Sequence, residues 1–215
     1  MDRRSRISSA LLVFAVCGAF SALLVAEIVD FSADTVKYKL SSPKRIDCLG
    51  RAVISNAENV IHADKIVITG PDLDVAKCYK NVHIVSKDSG ADLTSDFVEF
   101  YQTSDYVRLL KRPVLVMKDL RIVSDDMERY TARKFSVIQG DTVITRSNLD
   151  ARCWLCNYDE NKEMVVLKGS PSVRFRKETG EALRNEFTCG EIIFFNTNNR
   201  LILNRNVKGR IFFDE

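Results

Sequence analysis

Two histidines, one tryptophan, four prolines and nine glycines in 215 residues exclude several kinds of protein. So little Gly and Pro rules out a collagen-like rod and a low-complexity segment. His62 and His83 alone make no metal site, even with Asp64 two residues from His62 on the same strand face. No G-x-S-x-G, H-E-x-x-H, P-loop or dinucleotide fingerprint occurs, so no catalytic residue, metal or cofactor is expected. Asp72 with Asp74 and Asp125 with Asp126 read as turn and solvated residues. A net charge of +3, from 32 basic and 29 acidic residues, supplies no clustered basic face for nucleic acid. A chain 46% hydrophobic and 28% charged is neither disordered nor a multi-pass membrane protein. The length favours one large domain.

The one long apolar run is at the start. Arg3, Arg4 and Arg6 precede uncharged residues 7–26, and Glu27 and Asp30 follow. That order directs the rest of the chain out of the cytoplasm. Two readings stay open for residues 1–26. One is a signal peptide cut after Leu24-Val25-Ala26; the other is an uncleaved single-span anchor in the inner membrane. Val16 is bulky for a lipoprotein site at Cys17. Only three of the basic residues and one acidic residue lie in 1–26, so the remainder is nearly neutral at +1. The exported domain is then 27–215, in the periplasm.

Five cysteines follow the run: Cys48, Cys78, Cys153, Cys156 and Cys189. An odd number is no complete disulfide framework. Cys153-Trp-Leu-Cys156 has redox or metal spacing, but it falls in a strand-like run. Residues three apart on a strand point to opposite faces, which predicts small core thiols rather than a pair.

A repeat of about thirty residues organises the chain. Its first motif, a small residue, Asp and alternating apolar positions, recurs at Asp34, Asp64, Asp96 and Asp125, with spacings of 30, 32 and 29. Its second, a short polar or Gly/Pro start before valine, recurs at Val53, Val82, Val114, Val143, Val173 and Val207. Each unit holds two strand-like runs rich in Val, Ile, Phe and Tyr, bounded by turn residues such as Thr69-Gly-Pro-Asp72 and Gln102-Thr-Ser-Asp105. The fold class is therefore all-β. The aspartates are expected at strand starts, satisfying turn amides. Late units degrade: Arg129 replaces an apolar residue, and the Asp motif is lost near Arg152 and Gly190.

Alternation assigns faces. Val36 and Tyr38, Ile66 and Ile68, and Val98 and Phe100 occupy matching places on one face. Val82 and Ile84, Val114 and Val116, and Val173 and Phe175 do so for the second motif. These twelve are the candidate lining of one apolar interior. Lys37, Lys65, Glu99, Lys80, Arg112 and Arg174 have the opposite parity.

The Asp-x-apolar ladder, the starts Tyr-Lys-Asn-Val82 and Gly-Ser-Pro-Ser-Val173, and the closing Asn206-Val-Lys-Gly209 resemble the OstA/LptA-type repeat of lipopolysaccharide-transport proteins. Lys-Asn-Val at 80–82 and Arg-Asn-Val at 205–207 stand where that family usually has Gly-Asn-Val. The family includes LptA, LptC and the periplasmic part of LptD. The resemblance implies a twisted open β-jellyroll whose apolar groove holds a lipopolysaccharide or similar glycolipid on its way to the outer membrane. It implies partners of the same kind, or further copies, stacked on the first strand (about 33–40) and the last (about 201–213). A soluble LptA-like bridge is the leading expectation, with an anchored LptC-like component the alternative. From another class comes a structural or adhesive β-solenoid that carries no lipid. The twelve side chains are then merely a closed core.

Overall fold

The computed structural model describes residues 30–39, 41–87, 89–147, 149–175, 185–195, 197 and 200–211. The signal-or-anchor segment 1–26 lies outside these, as do Leu40, Phe212 and Phe213 of the expected end strands. Among the described residues no helix is long and apolar enough to cross a membrane. The helical stretch there is a 3-10 turn, Gln102–Ser104.

Everything else regular is β, as the alternation predicts. The strands are β1 (Asp30–Ser32), β2 (Thr35–Lys39), β3 (Lys44–Ser55), β4 (Asn59–Gly70), β5 (Val75–Ser86) and β6 (Asp92–Tyr101). β7 (Tyr106–Leu110), β8 (Val114–Met117), β9 (Leu120–Val123), β10 (Asp126–Tyr130), β11 (Phe135–Arg146) and β12 (Leu149–Asp159) follow. β13 (Met164–Lys168), β14 (Ser172–Phe175), β15 (Asn185–Thr188), β16 (Glu191–Phe195), β17 (Arg200–Asn204) and β18 (Lys208–Ile211) complete the order.

The register joins them into one antiparallel sheet. Six strands run long and unbroken. The other twelve lie end to end in pairs, so the sheet has twelve rungs, and each thirty-residue repeat supplies two. Every rung changes character halfway along. One half pairs in a ladder here named leaf A, through β2, β7, β10, β13, β16 and β17. The other half pairs in leaf B, through β1, β8, β9, β14, β15 and β18. Inward side chains of both leaves form a single hydrophobic cluster, so the sheet is folded lengthwise around its core. A solenoid would stack parallel coils. Antiparallel pairing throughout the described rungs overturns that geometry.

The fold line is where the repeat motifs are. Alternate rungs carry a two-residue bulge there, marked by register shifts at Leu49/Ala52, Tyr79/Val82 and Gln139/Thr142. The bulge residues adopt left-handed backbone: Gly50 and Arg51 (φ 71° and 43°), Lys80 and Asn81 (58° and 49°), Lys111 and Arg112 (67° and 61°). Glycine and asparagine tolerate this region best, and Gly50, Asn81 and Asn206 stand in it. The intervening rungs place one residue at the line: Asp34, Asp64, Asp96, Asp125, then Trp154 and Gly190.

The aspartates are therefore mid-rung corner residues, not strand starts. The expected hydrogen bond to a turn amide is present at Asp125, whereas Asp34 and Asp64 accept from side chains of the bulge instead. Asp125 accepts a hydrogen bond from the Asp141 backbone N–H at 3.2 Å. Asp64 accepts from Asn81 Nδ2 at 3.1 and 3.2 Å, and Asp34 pairs with Arg51 across the bulge. The fit is close: a Cβ added to Gly140 would stand 2.2 Å from Asp125 Oδ2.

Candidate functional site: the apolar interior

Two rows of leaf A face the core. The deeper row passes through Val36, Cys48, Ile66, Cys78, Val98 and Leu109, then Met127, Ile138, Cys156, Leu167, Ile192 and Leu203. It is apolar from the first rung to the last. The outer row, nearer the tip turns, runs from Tyr38 and Ile46 through Phe100 and Val107 to Arg129, Ser136 and Tyr158, and on through Val165 to Leu201. In leaf B, Ile84, Leu93, Leu115, Ile122 and Ile144 form the corresponding row.

Ten of the twelve sequence-predicted residues face this interior. Ile66, Ile68, Val82, Ile84, Val98, Phe100 and Val173 are buried, and Phe175 is half-buried. Val36 and Tyr38 keep the inward register, opposite Cys48 and Ile46, but are 43% and 55% exposed because no described strand lies beyond them.

Val114 and Val116 are corrections. They face outward, opposite Thr94 and Asp92, and Val116 is 38% exposed. The bulge at Lys111 and Arg112 puts Pro113 into the first inward position, which Val82 holds one repeat earlier. The next inward residue is Leu115, which is buried. Val173 escapes the same slip because Pro171 takes the first inward place and Val173 is two residues on.

The cysteines also differ from the strand argument. Trp154 occupies the fold line between Cys153 and Cys156, so both thiols face the interior, one in each leaf. All five described cysteines are buried and outside any disulfide. Burial pushes the Cys78 and Cys153 thiols up to about 12, so they stay protonated. His62 and His83 are cross-strand partners on the outer side of leaf B, rings 6.1 Å apart, and His83 Nε2 lies 2.9 Å from Asp92 Oδ1. Among the described residues no group of three or more His, Cys, Asp or Glu is placed to hold a metal ion.

The deeper row is buried from the second rung to the eleventh and least covered at the ends. Cys48, Ile66, Cys78 and Val98 are fully buried. Phe31, at the first rung, is 49% exposed, and Ile211, at the last, is 56% exposed. Among the described residues no further strand pairs with the outer side of either end rung, which leaves each as an edge strand.

No family model matches the chain, and no curated relative matches it. Among the similar solved structures is LptH of Pseudomonas aeruginosa, described as the LptA-homologous periplasmic component of the conserved lipopolysaccharide transport device. The likeness is slight. Identity is 7% and the TM-score 0.25, over 86% of this chain and 95% of that one. A score that low carries no argument about activity.

Proposed function

We propose that this chain carries an amphiphilic lipid, a lipopolysaccharide or similar glycolipid, across the periplasm toward the outer membrane. It acts as a soluble bridge whose end rungs pair with like domains or further copies. One observation supports this above the rest: an apolar interior that continues through twelve rungs and ends at two edges with no described strand beyond them, bearing exposed inward side chains. Sheltering acyl chains is worth about 0.8 kcal/mol per methylene, so a dozen methylenes contribute roughly 10 kcal/mol. That is ample to hold a lipid and to part packed leaves along the tip turns. Edge strands recruit partners through main-chain hydrogen bonds. An anchored, LptC-like version of the same role requires residues 7–26 to stay attached, and N-terminal sequencing of the exported protein separates the two. The work of transport comes from elsewhere in either case.

The closed interior favours a second reading, a non-lipid scaffold that uses its outer surface, since residues such as Ile66, Cys78, Val98 and Ile192 are already fully buried between the leaves. Native mass spectrometry of the protein purified gently from an exporting host decides between them. A bound species of glycolipid mass is the expected result. An apo mass that persists after incubation with lipopolysaccharide and phospholipid would sink the carrier reading.

A further inference from the structure

The outer row of leaf A changes chemistry in mid-course. After Phe100 and Val107 it reaches Arg129, Ser136 and Tyr158 before returning to Val165. Arg129 is only 4% exposed. Its Nη1 donates to Ser136 Oγ at 3.2 Å and its Nη2 to Glu160 Oε2 at 2.7 Å. Its Nε is buried with no partner. Nε and Nη2 form the side-on fork with which a guanidinium grips an oxyanion through two parallel hydrogen bonds. Glu160 fills half of that fork.

Nothing in the fold requires this charge. The matching places in neighbouring rungs hold Phe100, Val107 and Val165, and a buried guanidinium with an idle donor is a poor substitute for an apolar side chain. Glu160 is also loosely committed. It opens the turn 160–163, its side chain is 29% exposed, and its backbone is held independently by an N–H donated to the Lys134 carbonyl at 3.0 Å. Its carboxylate can rotate to water while the turn stays in place.

We propose that Arg129 is an anion anchor: a phosphate or carboxylate displaces Glu160 and takes both arms of the fork. This deepens the carrier reading and rests on it. The anion is the headgroup of an amphiphile whose chains lie along the apolar row beneath, past Met127 and Ile138. Ser136 steadies the far side of the guanidinium. Glu160 is the resident counterion, neutralising Arg129 while the site is empty.

The test compares dodecyl phosphate with the neutral dodecyl maltoside on the full chain. Wild type is expected to bind the phosphate about tenfold or more tightly, the ratio a charge-assisted hydrogen-bond pair supports. Arg129→Gln should erase that preference. Glu160→Gln should strengthen phosphate binding several-fold while weakening the empty fold, since it removes the competing carboxylate. A purely structural ion pair would not produce this opposition. Should Arg129→Gln fail to fold, the Glu160→Gln arm carries the test alone. Inorganic phosphate that abolishes dodecyl phosphate binding at equal concentration would assign the fork to free phosphate instead of a headgroup. Equal binding of both detergents by wild type, or a preference that survives Arg129→Gln, overturns the anchor and spares the carrier. Binding of neither detergent overturns both.

Discussion

The outer face of leaf A is two surfaces on one ladder. Across the first seven rungs, one cross-strand row reads Lys37, Asp47, Val67, Lys77, Glu99, Arg108 and Glu128. Opposite charges face each other, with Lys77 Nζ 2.7 Å from Glu99 Oε1. Arg108 bridges Asp126 at 2.6 Å and Glu128 at 3.5 Å. Over the remaining rungs the same row reads Val137, Asn157, Val166, Ile193 and Ile202. Ion pairs have given way to apolar ones. Either kind of cross-strand pair is worth about 0.2–1 kcal/mol, so both support the ladder and neither dictates it. What the two halves share is the inward rows and the fold line, and those specify the architecture.

The largest test of this view is in the interior. Phe100→Ala in the first half should cost about 3–5 kcal/mol, and Ile192→Ala in the second about 2–5 kcal/mol, in urea unfolding. Both residues are essentially buried, and they belong to one cluster. A single transition is expected in each variant. If either substitution cost under about 1 kcal/mol, or split the transition, the halves would be separate cores. Phe100→Glu then bears on function. A groove residue loses lipid while the domain persists, whereas a filled-core residue unfolds it.

The fold line should respond next most strongly, and with opposite signs in the two halves. Gly140→Ala places a methyl in left-handed backbone at φ 95° and against Asp125, so a loss of about 1–3 kcal/mol is expected. Lys80→Gly, at φ 58°, relieves strain and should gain up to about 1 kcal/mol by thermal or urea unfolding. Loss of stability from both would show that these left-handed positions are held by their side chains and not by backbone geometry.

These same positions explain what could be read beforehand. Val98 and Phe100 were legible because a half-rung obeys a period of two. Val114 and Val116 were not, because after the same two-residue bulge Pro113, not a valine, takes the first inward place, and matching the valines of successive repeats shifts the parity by one. Cys153 and Cys156 are core thiols as expected, but they share a face because the corner at Trp154 resets the parity. Trp154 itself, 63% exposed, stands where earlier repeats have Asp, and only its spacing of 29 from Asp125 gives it away. Arg129 was visible as a breach in an apolar pattern. Its partner Glu160 was not, since a contact across 31 residues depends on which tip turns lie side by side.

The smallest effects return to the outer face, where acid separates ion pairing from burial. Hydrogen bonding to Arg45, at 2.6 Å, holds the Asp47 carboxyl below its ordinary value in the first half. In the second half Glu191 is lowered chiefly by Asn204, with Lys168 adding to it. A carboxyl depressed by folding binds fewer protons in the native state. Its stabilisation is therefore full above the unfolded pKa of about 4 and disappears as pH falls through the lower folded value. Unfolding free energy should drop below about pH 4, and Asp47→Asn and Glu191→Gln should each flatten part of that fall. Arg45 is 46% and Lys168 48% exposed, so solvent screening keeps each contribution under about 1 kcal/mol. Salt distinguishes the halves further. The Asp47 contribution, made by a charged partner, should shrink in 1 M NaCl, while the Asn204 share of the Glu191 contribution should persist. Equal salt sensitivity at the two sites would mean that Lys168, not Asn204, governs Glu191, and the electrostatic contrast between the halves would vanish.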